Sequence, residues 1–183
     1  MIQTHVAIHH SGGLRAAHEI VLQNYENRRR NRAALLALAD RLVCLLSDAL
    51  VGQLAATTTE RRLLISAGQQ RHILERRQLV SHVDADLAAT RIEEALKAPR
   101  YLVVPQRLAN VWEIVGHVAS ADRLVLVALK LVPAARSKSK NDEWWVRTAI
   151  PFGTGKSKQY RGGGRLQPLN QAERKQDAPD GNS

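Results

Sequence analysis

The first half of the chain repeats its apolar residues at helical spacing. Nothing blocks a helix over this stretch, because no proline occurs before Pro99. Polar residues fill the positions between the apolar ones, as on an amphipathic helix. The pattern therefore predicts an all-helical N-terminal region over residues 1–69. The apolar positions of its first helix are Leu14, Ala17, Val21 and Tyr25.

A second helix is predicted around Leu35–Leu50. It would be apolar on two faces, so it must be covered by the rest of the chain or by another subunit. We expect it to pack against its own chain, and a homo-oligomer through this helix is the alternative. One face consists of Leu35, Leu38, Leu42, Leu45 and Ala49, and the other of Leu36, Val43, Leu46 and Leu50.

After Gly68 the pattern changes to two short helices followed by strands. Gln70 to Leu79 is predicted as one helix, and Asp84 to Lys97 as another, with Asp84 as N-cap. Short β-branched or aromatic runs then alternate with polar loops, without the long crossovers that parallel strands need. The fold class predicted for residues 70–152 is therefore α+β, with two short helices followed by a four-stranded antiparallel meander. The four strands are Tyr101–Val104, Val111–Gly116, Arg123–Leu131 and Glu143–Ile150.

Charge points to a polyanionic partner. The net charge is +10, and it is distributed as +3 over residues 1–69, +4 over 70–152 and +3 over 153–183. Such a uniform positive field favours nucleic acid first and an anionic membrane surface second. Residues 153–183 are rich in Gly, Lys, Arg and Gln and poor in apolar residues. They are predicted to form a flexible basic tail.

Other classes of protein are disfavoured. The most apolar stretch, residues 33–56, contains Asp40, Arg41 and Asp48, so no membrane span or membrane partner is expected. The single cysteine, Cys44, cannot form an internal disulfide, and we expect a cytoplasmic protein. Apart from a histidine pair near the N-terminus that lacks a third ligand, no cluster has the spacing of a metal site. No metal and no other cofactor is predicted.

The chemically distinctive segment is the first helix after Gly68. His72 and Arg76 lie four residues apart and share a helix face, with Arg77 beside them. A histidine can transfer protons at neutral pH. A guanidinium can hold a phosphate and stabilise the charge that develops when it is displaced. The combination suggests phosphodiester chemistry.

Three short motifs in this region resemble a known superfamily. They are His-Ile-Leu-Glu-Arg from His72, Arg-Ile-Glu-Glu-Ala-Leu from Arg91 and Val-Arg-Thr-Ala-Ile-Pro from Val146. The block from Arg71 to Phe152 resembles the phage- and toxin-associated nuclease domains of the barnase–EndoU–colicin–RelE superfamily. The resemblance implies a metal-free endoribonuclease in which the ribose 2′-hydroxyl attacks the phosphodiester.

The same resemblance implies roles for individual residues. His72 would be the acid or base, Arg76 a phosphate-binding catalytic residue and Thr148 a residue that orients the phosphate. Related sequences often have a second histidine where this chain has Arg77, so the second proton-transfer group is left open. Arg77, Arg147 and Lys130 are expected to bind substrate.

Strand alternation bears on the choice between two neighbouring residues. It places Val146, Thr148 and Ile150 on one face of the last strand and Arg147 on the other. If the first set faces the core, Arg147 rather than Thr148 would contact the phosphate.

The leading functional hypothesis is an endoribonuclease that acts as a toxin or as a phage-borne effector. An acidic antitoxin or immunity protein would then be a partner. The alternative is a basic nucleic-acid-binding or phage structural protein that has the fold without the chemistry. A third hypothesis is an oligomeric scaffold organised by the helix around Leu35–Leu50.

Overall fold

The computed structural model describes residues 8–54, 58–77, 79–80, 83–104 and 110–169. The chain divides into two units, one ending at Leu38 and the other beginning at Ala39. In the first unit, helix α1 spans Ile8–Leu36, which confirms the helix predicted from Leu14 to Tyr25. Its apolar side chains at Val21, Leu22, Tyr25 and Leu36 are exposed.

The second unit is built on one mixed sheet. In the described parts of the chain the sheet has seven strands, in the order β1-β2-β6-β5-β4-β3-β7. Neighbouring strands are antiparallel, except for β2 and β6, which run parallel. The strands are β1 Arg41–Leu45, β2 Arg62–Ile65, β3 Pro99–Val103, β4 Val111–Val118, β5 Arg123–Val132, β6 Glu143–Pro151 and β7 Leu166–Pro168. The helices are α2 Asp48–Gln53, α3 Ala67–Arg76, α4 Ala85–Lys97 and α5 Thr154–Gly162.

The predicted fold class was wrong. The four strands expected between residues 101 and 150 are present as β3 to β6, and both short helices are present as α3 and α4. However, they belong to a seven-stranded mixed sheet rather than to a four-stranded antiparallel meander. Three further strands, β1, β2 and β7, come from segments predicted to be helix or flexible tail. The predicted boundaries after residues 69 and 152 therefore both fall inside the second unit.

The helix predicted around Leu35–Leu50 is absent. The oligomer predicted to form through that helix therefore has no support. The segment contains the end of α1, strand β1 and the start of α2. A run that is apolar at nearly every position fits a helix and a strand equally well. Pairing with β2 makes residues 41–45 a strand, in which Leu42 and Leu45 are 50% and 60% exposed, and Leu46, directly after the strand, is buried.

The segment after Gly153 is also ordered as far as residue 169, contrary to the predicted flexible tail. Tyr160 on α5 and Leu166 on β7 pack on a buried cluster of Val103, Val115, Leu126 and Phe152. Burial of that cluster compensates for the polar composition of the segment. Residues 170–183 of the predicted tail lie outside the described part of the chain.

The two faces of the sheet are covered differently. Helix α4 packs on one face so closely that a Cβ on Gly116 would lie 1.7 Å from the carbonyl oxygen of Ala95. On the opposite face, α5 covers the end of the sheet that contains Val115 and Leu126. Farther along that second face, around Glu113, an open pocket remains.

Candidate active site

A pocket of about 430 Å³ lies between α3 and the open part of the sheet. One wall comes from α3 and the residue that ends it, and the floor comes from three adjacent strands. Four of the six residues predicted for the site line it: His72, Arg77, Arg147 and Thr148. The other lining residues are Gly68, Gln69, Val111, Glu113 and Ala128.

The floor is a row of three residues directly opposite one another. Glu113 of β4 pairs with Ala128 of β5, and Ala128 pairs with Thr148 of β6. Directly paired residues project from the same face, and neighbouring strands are about 4.8 Å apart. Glu113 and Thr148 are therefore separated by roughly 10 Å. The small side chain of Ala128 leaves the space between them open.

A β-bulge brings Thr148 onto the pocket face. Ala128 pairs with Thr148 but Leu129 pairs with Val146, so Arg147 is an extra residue on β6. The bulge shifts the alternation by one residue, and Val146 and Ala149 are both buried. The predicted alternation, with Val146 and Thr148 on one face, was wrong for this reason. Both Arg147 and Thr148 can consequently reach the pocket.

Thr148 has an unused hydroxyl group. Its Oγ1 is buried and has no hydrogen-bond partner among the described residues. A buried hydroxyl without a partner is unfavourable by about 1–3 kcal/mol, and such groups are rare in folded proteins. A hydroxyl group in this state beside an open pocket can donate to a bound ligand.

Helix α3 is held firmly at its start, and this fixes its position beside β6. Ser66 is the N-cap, and its side chain accepts a hydrogen bond from the Gln69 backbone. Asp40 accepts from the Ala67 backbone at 2.8 Å. The buried amide of Gln70 donates to the Ala39 carbonyl at 2.6 Å. These bonds orient the helix so that His72 is on the pocket wall.

His72 and Arg77 interact directly. Arg77 ends α3, and its Nε donates to His72 Nε2 at 3.0 Å. In this arrangement Nε2 is an acceptor, so the neutral ring carries its proton on Nδ1. An anion that attracts the Arg77 guanidinium would release Nε2 to exchange a proton.

The other two predicted site residues lie elsewhere. Arg76 is in the last turn of α3, is exposed and does not line the pocket. Lys130 lines a neighbouring cleft, which shares Gln69 and Arg147 with the pocket. The two clefts therefore form a continuous surface along α3 and the sheet.

Glu113 is a pocket residue that sequence reasoning missed. It is a half-buried carboxylate in the middle of β4, whose neighbours Val111, Ile114 and Val115 are buried. A single carboxylate in a strand that is apolar apart from His117 was the available signal. With His72 neutral, Arg77, Arg147 and Glu113 give the pocket a formal charge of +1, which favours an anion.

No family model, no curated protein and no solved structure matches this chain. Within the described ranges, no helix is long and apolar enough to cross a membrane. The same residues contain no group of three or more His, Cys, Asp or Glu side chains placed to hold a metal ion. The geometry of the pocket is therefore the main guide to function.

Proposed function

We propose that this protein is an endoribonuclease that cleaves RNA by attack of the 2′-hydroxyl on the adjacent phosphodiester, without a metal ion. The observation that carries the proposal is the pocket itself. It joins a histidine, two arginines, a carboxylate and a hydroxyl group without a partner. These are the groups that such a reaction requires.

Phosphate binding uses the cationic side of the pocket. Arg77 and Arg147 contact the non-bridging oxygens of the phosphate, and Thr148 Oγ1 donates a hydrogen bond to one of them. As the 2′-oxygen attacks, negative charge grows on these oxygens, and the same groups stabilise it.

Proton transfer uses two groups on opposite sides of the pocket. Glu113, as a carboxylate, accepts the proton of the 2′-hydroxyl. When Arg77 turns to the phosphate, Nε2 of His72 is freed, takes up a proton from water and delivers it to the departing 5′-oxygen, and Glu113 returns its proton to water after the reaction. The bond from phosphorus to the 5′-oxygen breaks, and the products are a 2′,3′-cyclic phosphate and a free 5′-hydroxyl. Glu113 thus fills the role that a second histidine has in the superfamily that residues 71–152 resemble.

The test is cleavage of a mixed-sequence RNA by the purified full chain, in EDTA, with analysis of the product ends. His72→Ala and Glu113→Gln should each lower the rate by about 10²–10⁴-fold, the usual contribution of a proton-transfer group. Thr148→Val, which removes the hydroxyl group but keeps the shape, should lower it by roughly 5–150-fold, the equivalent of 1–3 kcal/mol.

Adjacent arginines provide a matched control. Arg77→Ala should reduce cleavage strongly, whereas Arg76→Ala, one residue away and outside the pocket, should change it little. The reverse result would place the phosphate on the Arg76 side of α3. The absence of cleavage on any RNA, or cleavage that needs an added metal ion, would refute the proposal.

A second candidate is a non-catalytic RNA-binding protein, which the net charge of +10 favours. The same experiment separates the two. A binding protein would retain RNA in a salt-sensitive manner and would leave its length and ends unchanged.

A further inference from the structure

The cleft beside the pocket has a volume of about 410 Å³ and contains a tryptophan. It shares Gln69 and Arg147 with the pocket, so a chain-like ligand can pass from one to the other. Trp145, Lys130 and Val132 form much of its remaining lining.

Two adjacent tryptophans have opposite environments. Trp144 is fully buried, donates to the Glu60 carbonyl at 2.9 Å and packs edge-on against Trp112. Trp145 is only partly buried and faces the cleft. Trp144 therefore has a structural role, whereas the ring of Trp145 is available to a ligand.

Trp145 is held in one orientation. Its Nε1 donates to Glu143 Oε2 at 3.0 Å, two residues earlier on the same face of β6. Burial alone would raise the pKa of Glu143, but hydrogen bonds from Ser139 and Trp145 lower it overall. The carboxylate is therefore ionised at neutral pH, and its bond to the indole persists. A ring already fixed in place loses little conformational freedom when a ligand stacks on it.

Two cations flank the ring. Lys130 pairs directly with Trp145 across β5 and β6 and is exposed. Arg147 is two residues along the same strand. Neither cation has an ion-pair partner within the described parts of the chain. An aromatic surface between unpaired cations is the usual arrangement for binding single-stranded nucleic acid.

We propose that this cleft binds a nucleobase of the RNA segment next to the cleaved phosphate, stacked on Trp145, with Lys130 contacting a neighbouring phosphate. The inference rests on the proposed function and names a subsite for its substrate. Thr148 and Trp145 are three residues apart on β6, so about 10 Å separates the two positions, a span that one nucleotide can bridge. Because every base has a stacking face, we expect little preference among bases at this position.

The first experiment compares two substrates. A dinucleotide of adenosine can fill only the pocket, whereas a hexanucleotide also reaches the cleft. Trp145→Ala should raise KM for the hexanucleotide by roughly 5–150-fold, the equivalent of 1–3 kcal/mol for one stacked base. The kcat for the hexanucleotide should stay nearly unchanged, and so should both kcat and KM for the dinucleotide. Trp145→Phe should restore most of the affinity.

The second experiment does not depend on catalysis. A short oligodeoxyadenylate lacks the 2′-hydroxyl and cannot be cleaved by this route. It should quench tryptophan fluorescence in the wild-type chain and in Trp112→Phe, but not in Trp145→Phe. Thermal melting confirms that the variants are folded.

The outcomes separate the subsite from the nuclease. RNA cleavage with a hexanucleotide KM that is insensitive to Trp145→Ala would overturn the subsite and leave the nuclease standing. Quenching that depends on Trp145, without cleavage of any RNA, would retain the subsite and overturn the nuclease. Equal losses of kcat on both substrates would show that Trp145 only supports the fold, which also overturns the inference.

Discussion

The close approach of helix α4 to strand β4 at Gly116 gives a sharp test of the fold. An ideal Cβ built on Gly116 lies 1.7 Å from the Ala95 oxygen, 2.5 Å from its carbonyl carbon and 2.8 Å from its Cα. Real Cβ atoms essentially never approach within 3.0 Å. In Gly116→Ala, α4 and β4 must therefore separate by more than 1 Å.

That displacement disturbs a fully buried part of the core. Ile92, Ala95 and Ile114, at the interface between α4 and the sheet, are all 0% exposed. A gap of 0.5–1 Å already loses about a quarter to a half of the attraction between packed atoms. With the usual cost of overpacking, we expect a loss of about 3–5 kcal/mol in the free energy of unfolding. This is a large part of the 5–15 kcal/mol typical of a domain.

Urea denaturation followed by circular dichroism measures the effect. At a slope of about 2 kcal/mol per molar, the midpoint should fall by roughly 2 M. Gly52→Ala is the matched control, because nothing lies within 4 Å of its Cβ and it is inside α2. Alanine favours a helix there, so the control should be more stable by up to about 1 kcal/mol. If Gly116→Ala unfolds at the wild-type midpoint, α4 does not sit on β4 as described.

Two further predictions test the parts of the second unit that sequence patterns missed. Tyr160→Ala should lower the free energy of unfolding, measured in urea, by about 2–4 kcal/mol, because the ring packs on Phe152. Tyr25→Ala is the control: this side chain on α1 is exposed, so the change should be less than about 0.5 kcal/mol. Hydrogen bonds from Arg62 lower the pKa of Glu60 from 4.5 to about 2. Glu60→Gln should therefore lower the free energy of unfolding by about 1–2 kcal/mol above pH 4.5, allowing for the exposure of Arg62. This difference in stability between the wild type and the variant should vanish as the pH falls towards 2, because Glu60 then becomes protonated in both the folded and the unfolded state. A difference that persists at pH 2 would contradict this account.

Local signals in the sequence were enough for several elements. The Asp84 side chain caps α4 by accepting a hydrogen bond from the Leu87 backbone N–H, and the helix ends at Lys97, two residues before Pro99. The β-branched runs predicted β4 and β5, and the predicted ends of both strands lie within two residues of the observed ends. Caps, prolines and strand propensity act over a few neighbouring residues, so a single chain reveals them.

The candidate site could be predicted in part. The sequence singled out four residues that line one pocket: His72, Arg77, Arg147 and Thr148. They come together although about 70 residues, which include α4, β3, β4 and β5, separate α3 from β6. Glu113 was missed because its position matters only through its pairing with Ala128. Arg76, in the last turn of α3, is exposed and does not line the pocket, whereas Arg77 donates a hydrogen bond back to His72.

The sequence by itself determined where strong local preferences lie: α1, α3, α4 and the four central strands. Only the tertiary structure decided the rest. Strand β2 has four residues, and its parallel pairing with β6 joins Leu63 to Trp144, a partner far along the chain. The bulge at Arg147 and the docking of α5 likewise depend on contacts between distant segments. Hydrophobic spacing records which side of an element is buried, but it carries no information about which distant segment covers that side.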